Sequence, residues 1–354
     1  MKKNQYQVIG VMSGTSLDGV DLAECRFTFS EETGWDFNLG VTETIPYSSS
    51  WKAKLGEGVH FSRGRLSTLN EDYTQLLGRI ISEFIEKNKL QNIDAVCSHG
   101  HTILHQPEEG TTLQIGNLHE LADLVNATVV CDFRVQDVEL GGQGAPLVPI
   151  GDRLLFGNYD YCLNLGGFAN LSFEQNGKRI AFDICPMNIV LNVLAEEMGK
   201  PFDEDGKIAA NGIVDFDLLN ILNQLEYYQT SPPKSLGLEW VNKHIWPILN
   251  ASEISVEDKI ATFTEHAAMQ LAGNFEPGHS VLSTGGGTYN KHLMSRLLSY
   301  KAVELIIPEP KIIDCKEALV FGLLGVLKLR EETNCLASVT GAKADHSSGV
   351  IFSV

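Results

Sequence analysis

A chain of 354 residues, 43% apolar and 20% charged, is long enough for two domains that each bury a core. A net charge of −18 with no dense Lys/Arg run argues against a nucleic-acid partner, and no apolar stretch approaches the roughly 18 residues that a membrane span needs. The seven cysteines (Cys25, Cys97, Cys131, Cys162, Cys185, Cys315 and Cys335) are odd in number, scattered and free of C-x-x-C spacing. They read as reduced core residues of a cytoplasmic protein, not as a disulfide framework or a zinc site. The first residues lead straight into a strand pattern without a signal-peptide core.

An apolar run at 8–12 stops at Ser13-Gly14-Thr15-Ser16, and a second alternating run (Val20, Leu22, Ala23, Cys25, Phe27) follows. This is the pattern of a β-hairpin whose small-residue turn leaves backbone N–H groups uncovered beside hydroxyls. Such a turn either cradles phosphate oxygens or is an ordinary polar turn. Strand-like segments continue to about Ile45, and residues 51–65 read as a Gly-rich polar connection. Apolar residues from Leu66 to Ile85 recur at helical spacing and predict a long amphipathic helix. A buried strand at 93–97 runs into Ser98-His99-Gly100-His101-Thr102. A helix is expected at 118–125 and a strand at 128–133. Gly141, Gly142 and Pro146 then suit a hinge and crossover into a second domain, followed by a helix into Leu155.

The second domain opens at 161–173 with strand, small-residue turn (Gly166, Gly167) and strand, repeating the logic of the first hairpin. A strand at 179–182 leads to Asp183, with Pro186 suited to the first turn of the next helix. Helices are expected at 215–226 and 256–274. A strand at 279–283 ends in Thr284-Gly285-Gly286-Gly287-Thr288-Tyr289-Asn290, a helix starts near Lys291, a strand covers 303–307 and an apolar helix covers 316–329. Strands alternating with helices predict an α/β chain with parallel sheet, which binds ligands at the carboxyl ends of strands.

Three glycine-bearing turns in one α/β chain point to nucleotide binding between two lobes, since a ligand lying against backbone needs the absence of side chains. Asp183 is either a general base or a carboxylate capping the following helix. His99, His101 and His105 lack the spacing and the acidic or thiol partners of a zinc site, so their imidazoles bond either to a substrate or to the backbone. Asp18 and Asp21 are expected on one face of the returning strand, holding hydrated magnesium or simply solvated. Lys234, in the stiff Pro232-Pro233-Lys234-Ser235 loop, is either a cation for an anionic ligand or a surface residue.

The first hairpin, residues 98–102, Leu113-Gln114-Ile115-Gly116, Phe133-Arg134, residues 141–149, residues 164–170, Asp183 onward, residues 232–235, Gly285–Gly287, Glu317-Ala318 and Ser338-Val339-Thr340-Gly341-Ala342 follow one another in one order. Together they resemble the anhydro-N-acetylmuramic acid kinases over essentially the whole chain. The resemblance implies an α/β two-lobed actin-like ATPase fold (shared by sugar kinases, actin and Hsp70) with an interlobe nucleotide cleft. The lobes would comprise residues 1–133 with 335–354, and residues 134–334. It implies ATP and Mg2+ as cofactors, a bacterial role in murein recycling, a homodimer, and a reaction that opens a 1,6-anhydro ring with water and phosphorylates O6.

By that resemblance Asp183 is the catalytic base. Gly14, Thr15, Ser16, Leu17, Asp18, Gly19, Val20 and Asp21 form the ATP-binding loop, joined around ATP by Gly166, Gly167, Gly285, Gly286, Gly287 and Asn290. His99, His101, Arg134, Asn188, Lys234 and Glu317 are expected at the substrate, and Asp18 and Asp21 at the metal. The acids that the wider superfamily carries in its two phosphate hairpins are here Met12 and Asn164. Within the family pattern, Ile184-Cys185-Pro186-Met187-Asn188 replaces Thr-Gly-Pro-Gly-Asn, and Leu236-Gly237-Leu238-Glu239 replaces Thr-Gly-Arg-Glu, so an arginine is missing. Two alternatives stay open: a kinase for another sugar hydroxyl without ring hydrolysis, or a non-catalytic nucleotide-binding sensor.

Overall fold

The computed structural model describes residues 2–14 and 17–354. Its strands are β1 (Gln5–Ser13), β2 (Gly19–Ser30), β3 (Gly34–Pro46), β4 (Ala95–Gln106), β5 (Thr111–Ile115), β6 (Val129–Cys131), β7 (Tyr161–Leu165), β8 (Phe168–Gln175), β9 (Lys178–Pro186), β10 (Ser280–Thr284), β11 (Glu304–Ile306) and β12 (Val350–Phe352). One sheet runs β12-β6-β4-β1-β2-β3, with β5 paired to β4, and the other runs β11-β10-β7-β8-β9.

The two sheets share one plan. β1, β2 and β3 form an antiparallel meander, and β4 then β6 add parallel beside β1. β7, β8 and β9 form the same meander, and β10 then β11 add parallel beside β7. A meander followed by parallel crossover strands, built twice in one chain, is the plan of the sugar kinase, actin and Hsp70 fold expected from the motifs.

The chain divides into two units, residues up to Leu155 with Cys315–Val354, and Phe156–Asp314. The boundaries expected at 133/134 and 334/335 therefore lie within the first unit. The helix Pro310–Leu329 leaves helical backbone angles at Cys315, where the division falls. From there it packs onto the first sheet through small residues: a Cβ on Gly10 would lie 1.9 Å from the Ala318 carbonyl oxygen, and one on Gly325 would lie 2.2 Å from Cys97 Sγ. That close approach ties 315–329 to β1 and β4, and it is legible only in three dimensions.

The opposite face of this sheet buries Ile9, Val11, Leu22 and Val96 against Leu69, Tyr73, Leu77, Ile81 and Phe84 of the helix Arg63–Lys87. Its i, i+4 spacing is the stripe expected from the sequence. The second unit buries Leu163, Leu165 and Leu171 with Leu191 and Leu194 of the helix Asn188–Glu197 and Phe263, Ala267 and Leu271 of the helix Val256–Ala272. Each such Leu or Phe contributes about 1.5–3 kcal/mol by leaving water.

Three expectations are corrected. Part of 51–65 is helix, Ser49–Glu57, started by Ser48 Oγ accepting from Trp51 N at 3.3 Å. Only Leu55 of that helix is buried, so it carries no apolar stripe. β4 does not stop at Cys97 but runs to Gln106, through Gly100 at φ +74°, with β5 as its partner. Pro186 ends β9 instead of opening the helix, which starts at Asn188. All seven cysteines are free and buried, as the spacing suggested. Among the described residues no helix is long and apolar enough to cross a membrane.

Candidate active site

The residues expected to form the ATP-binding loop, 14–21, lie in the first unit at the turn between β1 and β2 and the start of β2. Thr15 and Ser16 lie outside the described residues. Leu17 has φ +60° and donates its N–H to the Gly14 carbonyl at 3.3 Å. Gly19 has no room for a side chain, since a Cβ would come 2.3 Å from the Ile45 carbonyl oxygen, and the Val20 side chain is fully buried. These two residues can therefore offer a ligand only backbone.

Asp21 accepts a hydrogen bond from Thr44 Oγ1 at 2.6 Å within β2. Asp18 is exposed and precedes the strand. The strand's alternation does not govern it, which corrects the expectation that both carboxylates share a face by strand periodicity.

Behind the turn lies a buried chain of hydrogen bonds that the sequence did not signal. Tyr73 Oη and Tyr47 Oη are 2.5 Å apart, Tyr47 Oη and Ser13 Oγ 2.5 Å, and Ser13 Oγ and His101 Nδ1 2.8 Å. Burial lowers the His101 pKa to about 4, so its imidazole is neutral at physiological pH.

His99, also buried, faces a different partner. Arg134 Nε–H donates to His99 Nε2 at 2.8 Å, and Arg134 Nη1 donates to the Gly144 carbonyl at 2.6 Å. The His99 Nδ1–H then goes to the Gly100 carbonyl at 2.9 Å. Burial first, and the Arg134 charge second, hold His99 well below its ordinary pKa. Arg134 itself is lowered to about 10 by burial, with Glu317 opposing. Glu317 is open to water yet crowded by protein mass: desolvation raises its pKa and Arg134 pulls it back. The expected residues His99, Arg134 and Glu317 are thus electrostatically linked. His105 makes no hydrogen bond to them, its Nδ1 lying 3.1 Å from Thr112 Oγ1, though after burial the Arg134 charge also lowers its pKa.

In the second unit Asp183 sits within β9 opposite Asn170, next to a bulge at Ile184. It does not cap the following helix, whose N-terminus has no side-chain cap. Its carboxylate Oδ2 instead accepts the Leu236 N–H at 2.8 Å, and its own N–H donates to the Lys234 carbonyl at 3.2 Å. The Pro-Pro-Lys loop, which the sequence marks out by its charge, therefore clasps Asp183 with its backbone. The Leu236 contact needs no side chain, so a leucine serves there as well as a threonine would. Tyr227 completes the clasp, its Oη donating to the Asp183 carbonyl at 2.6 Å. Lys234 Nζ donates to the Tyr227 carbonyl at 3.1 Å and stands 4.6 Å from that ring's centre. Desolvation pushes the Asp183 carboxyl above the ordinary carboxylate range, against the Leu236 N–H. A half-buried carboxylate of raised pKa is suited to accept a proton.

The glycine turns of this unit meet. The carbonyls of Gly166 and Gly167 accept the N–H groups of Asn188 and Ile189 at 3.3 and 3.2 Å, seating the helix Asn188–Glu197. Asn188 Nδ2 donates to the Leu165 carbonyl at 3.2 Å. A Cβ on Gly285 would lie 2.7 Å from Asn164 Oδ1, and one on Gly287 2.8 Å from Leu165 Cβ, whereas Gly286 faces open space. Two of the three glycines are thus required by packing, and Gly286 is the position open to a ligand. Asn290 Oδ1 accepts the Leu293 N–H at 2.9 Å and caps the helix Lys291–Tyr300. A groove of about 570 Å3 on the first unit, lined by Trp51, Lys54, Asp72 and Arg79 among others, contains none of these residues.

Glycine turns after paired strands, a poised carboxylate and a duplicated sugar-kinase plan define a phosphotransferase acting on a sugar hydroxyl. A family model described as anhydro-N-acetylmuramic acid kinase matches residues 6–354. The chain is 35% identical to the anhydro-N-acetylmuramic acid kinase of Mannheimia succiniciproducens over 99% of this chain and 100% of that one. It is 36% identical to the enzyme of the same name from Paramagnetospirillum magneticum, over 96% of this chain and 98% of that one. The chain belongs to the anhydro-N-acetylmuramic acid kinase family. Among solved structures, the nucleotide-bound activator of 2-hydroxyisocaproyl-CoA dehydratase from Clostridium difficile aligns over 92% of this chain and 96% of that chain, at 14% identity and a TM-score of 0.44.

Proposed function

We propose that the protein is a cytoplasmic, ATP-dependent kinase of murein recycling that hydrolytically opens 1,6-anhydro-N-acetylmuramic acid and phosphorylates O6. Water adds to C1 and gives its proton to the Asp183 carboxylate as the C1–O6 bond breaks. O6 takes the γ-phosphoryl group, ADP leaves, and the proton passes to solvent. The observation that carries the reading is the Asp183 carboxylate, raised in pKa and fixed by the Leu236 N–H, in a chain of this family.

Positioning and charge neutralisation supply most of the catalysis in phosphoryl transfer. In this reading the turn residues Gly14–Asp21 and the face opened by Gly286 contact the nucleotide, and Arg134, held in register by His99 and Gly144, contacts the anionic sugar. His101, Asn188, Lys234 and Glu317 support the substrate. Magnesium neutralises the nucleotide phosphates when bound, and the oxygen donors Asp18 and Asp21 suit its hydrated ion. The protein acts as a homodimer in this reading.

The test is coupled ADP release with 1,6-anhydro-N-acetylmuramic acid in ¹⁸O-water. Turnover with ¹⁸O at the anomeric position supports ring hydrolysis. Turnover without label assigns a simple hydroxyl kinase, and no turnover assigns a non-catalytic nucleotide binder.

A further inference from the structure

Next to Arg134, and sharing Gly144 with it, three metal-capable side chains that the reading above does not use converge in the first unit: Asp137, Cys335 and His346, whose ligand atoms all lie within 4.8 Å of one another. Cys335 and His346 are paired across a two-residue antiparallel bridge, with backbone hydrogen bonds of 3.1 and 3.2 Å in the two directions. Pairing of this kind places both side chains on one face. Asn334 pins the bridge on either side, its Nδ2 donating to the carbonyls of Leu324 at 3.0 Å and Ser348 at 2.9 Å. Asp137 comes from the helix Val135–Glu139 and is fully buried.

The atoms are oriented as well as close. Asp137 Oδ2 accepts the Gly144 N–H at 2.7 Å, and Oδ1 accepts Thr340 Oγ1–H at 2.7 Å. The Cys335 sulfur is 3.5 Å from Oδ1. His346 Nδ1–H donates to the Ala344 carbonyl at 3.1 Å, which in the neutral ring leaves Nε2 as a bare lone pair. That Nε2 is buried without a hydrogen-bond partner, on a side chain only 9% exposed, and it points at Asp137 Oδ1 from 3.6 Å. Two acceptors facing each other across a buried gap repel unless a positive charge stands between them. A tetrahedral zinc with bonds of about 2.3 Å to sulfur and about 2.0 Å to oxygen and nitrogen holds its donors about 3.3–3.5 Å apart. The 3.5 Å from sulfur to Oδ1 matches that spacing, the 3.6 Å from Nε2 to Oδ1 is a few tenths of an ångström wider than an ion would draw it, and the outer bonds from Thr340, Gly144 and Ala344 fix the donors as metal sites require.

We propose that Asp137, Cys335 and His346 bind one zinc-like divalent cation, with the fourth ligand drawn from solvent at the exposed turn 343–345. Binding replaces the Sγ–H bond of Cys335 with a sulfur–metal bond and releases that proton to solvent. The ion ties the C-terminal bridge to the segment that carries Arg134 and Gly144.

The experiment uses the full chain, stripped with a chelator, loaded with Zn2+ or Co2+ and desalted. Retention of about one ion per chain is expected, with a near-ultraviolet thiolate-to-cobalt band and intensified visible bands of tetrahedral cobalt. Cys335→Ser removes the near-ultraviolet band although six other cysteines remain. His346→Gln weakens retention by more than the ~10–100-fold that loss of an outer-shell partner costs. Failure of the wild-type chain to retain metal in stoichiometric amount overturns the proposal. So does a cobalt band that survives Cys335→Ser. Both readouts on the wild-type chain stand even if a variant does not fold.

Discussion

Asp183→Asn separates a catalytic role for this carboxylate from a structural one. The fold raises its pKa, so the fold favours the protonated form. That contribution is present below the unfolded-state value and is lost as pH rises through the folded-state value. At neutral pH the ionised group therefore costs stability, and removing its charge does not lower the melting temperature. Asparagine keeps an oxygen for the Leu236 N–H, now 2.8 Å from Oδ2. Alanine does not, and an unsatisfied buried N–H costs about 1–3 kcal/mol. At about 2–4 °C per kcal/mol for a unit of this size, Asp183→Ala melts roughly 2–12 °C lower. Turnover should fall about 10²–10⁴-fold in both variants through loss of the base. The wild-type pH–rate profile should show an acid limb above the ordinary aspartate value, because the active carboxylate is lost on acidification through a raised pKa, and the asparagine variant should lack that limb. ADP release at saturating substrates and thermal melts measure these quantities. Near-normal turnover in Asp183→Asn, or a melting temperature lowered as far as in Asp183→Ala, refutes the reasoning.

Arg134→Lys cannot donate to both His99 and Gly144 from a planar fork, so the sugar KM rises at least about tenfold while the ATP KM holds, as initial-rate kinetics will report. Gly286→Ala adds a methyl group where nothing lies within 4 Å, so thermal melts are unchanged; a raised ATP KM marks the nucleotide's approach, and an unchanged one removes Gly286 from it. His101, neutral in the fold with a pKa lowered to about 4, contributes stability that is present above its unfolded value and falls away between about pH 6.5 and 4, up to about 3 kcal/mol. Urea midpoints at the two ends of that range should converge on those of His101→Gln as pH falls. Leu238, where the family pattern has arginine, is 53% exposed. Leu238→Arg lowers the KM for the lactyl-bearing sugar about 10–100-fold if a charged hydrogen bond forms, and an unchanged KM excludes that position from carboxylate binding.

The fold was legible wherever one apolar period governed a whole element. The Arg63–Lys87 helix shows its stripe over 25 residues, and β1 and β7 show as short, nearly continuous buried runs. Ser49–Glu57 was illegible because one buried leucine makes no period. β4 was cut short because its second half carries histidines and a glycine at positive φ, which interrupt an apolar run without ending the strand. The division of units was misplaced for a different reason. Residues 134–155 and 315–334 join the first unit through close backbone approaches, such as Gly10 to Ala318, and small residues show no partner in one dimension.

The candidate site divides in the same way. Asp183 and Lys234 were each legible, but their connection was not, because it runs through the Lys234 carbonyl and the Leu236 N–H, and every residue type supplies a carbonyl. This also changes the meaning of the departures from the family pattern. At 236 the contact with Asp183 is made by the main chain and does not depend on the side chain. At 238 an arginine's charge cannot be replaced by backbone, which is what the Leu238→Arg measurement tests. A position where a family's side chain changes alters function only if the side chain, and not the peptide group, makes the contact. In this loop the contact at Leu236 is made by the peptide group.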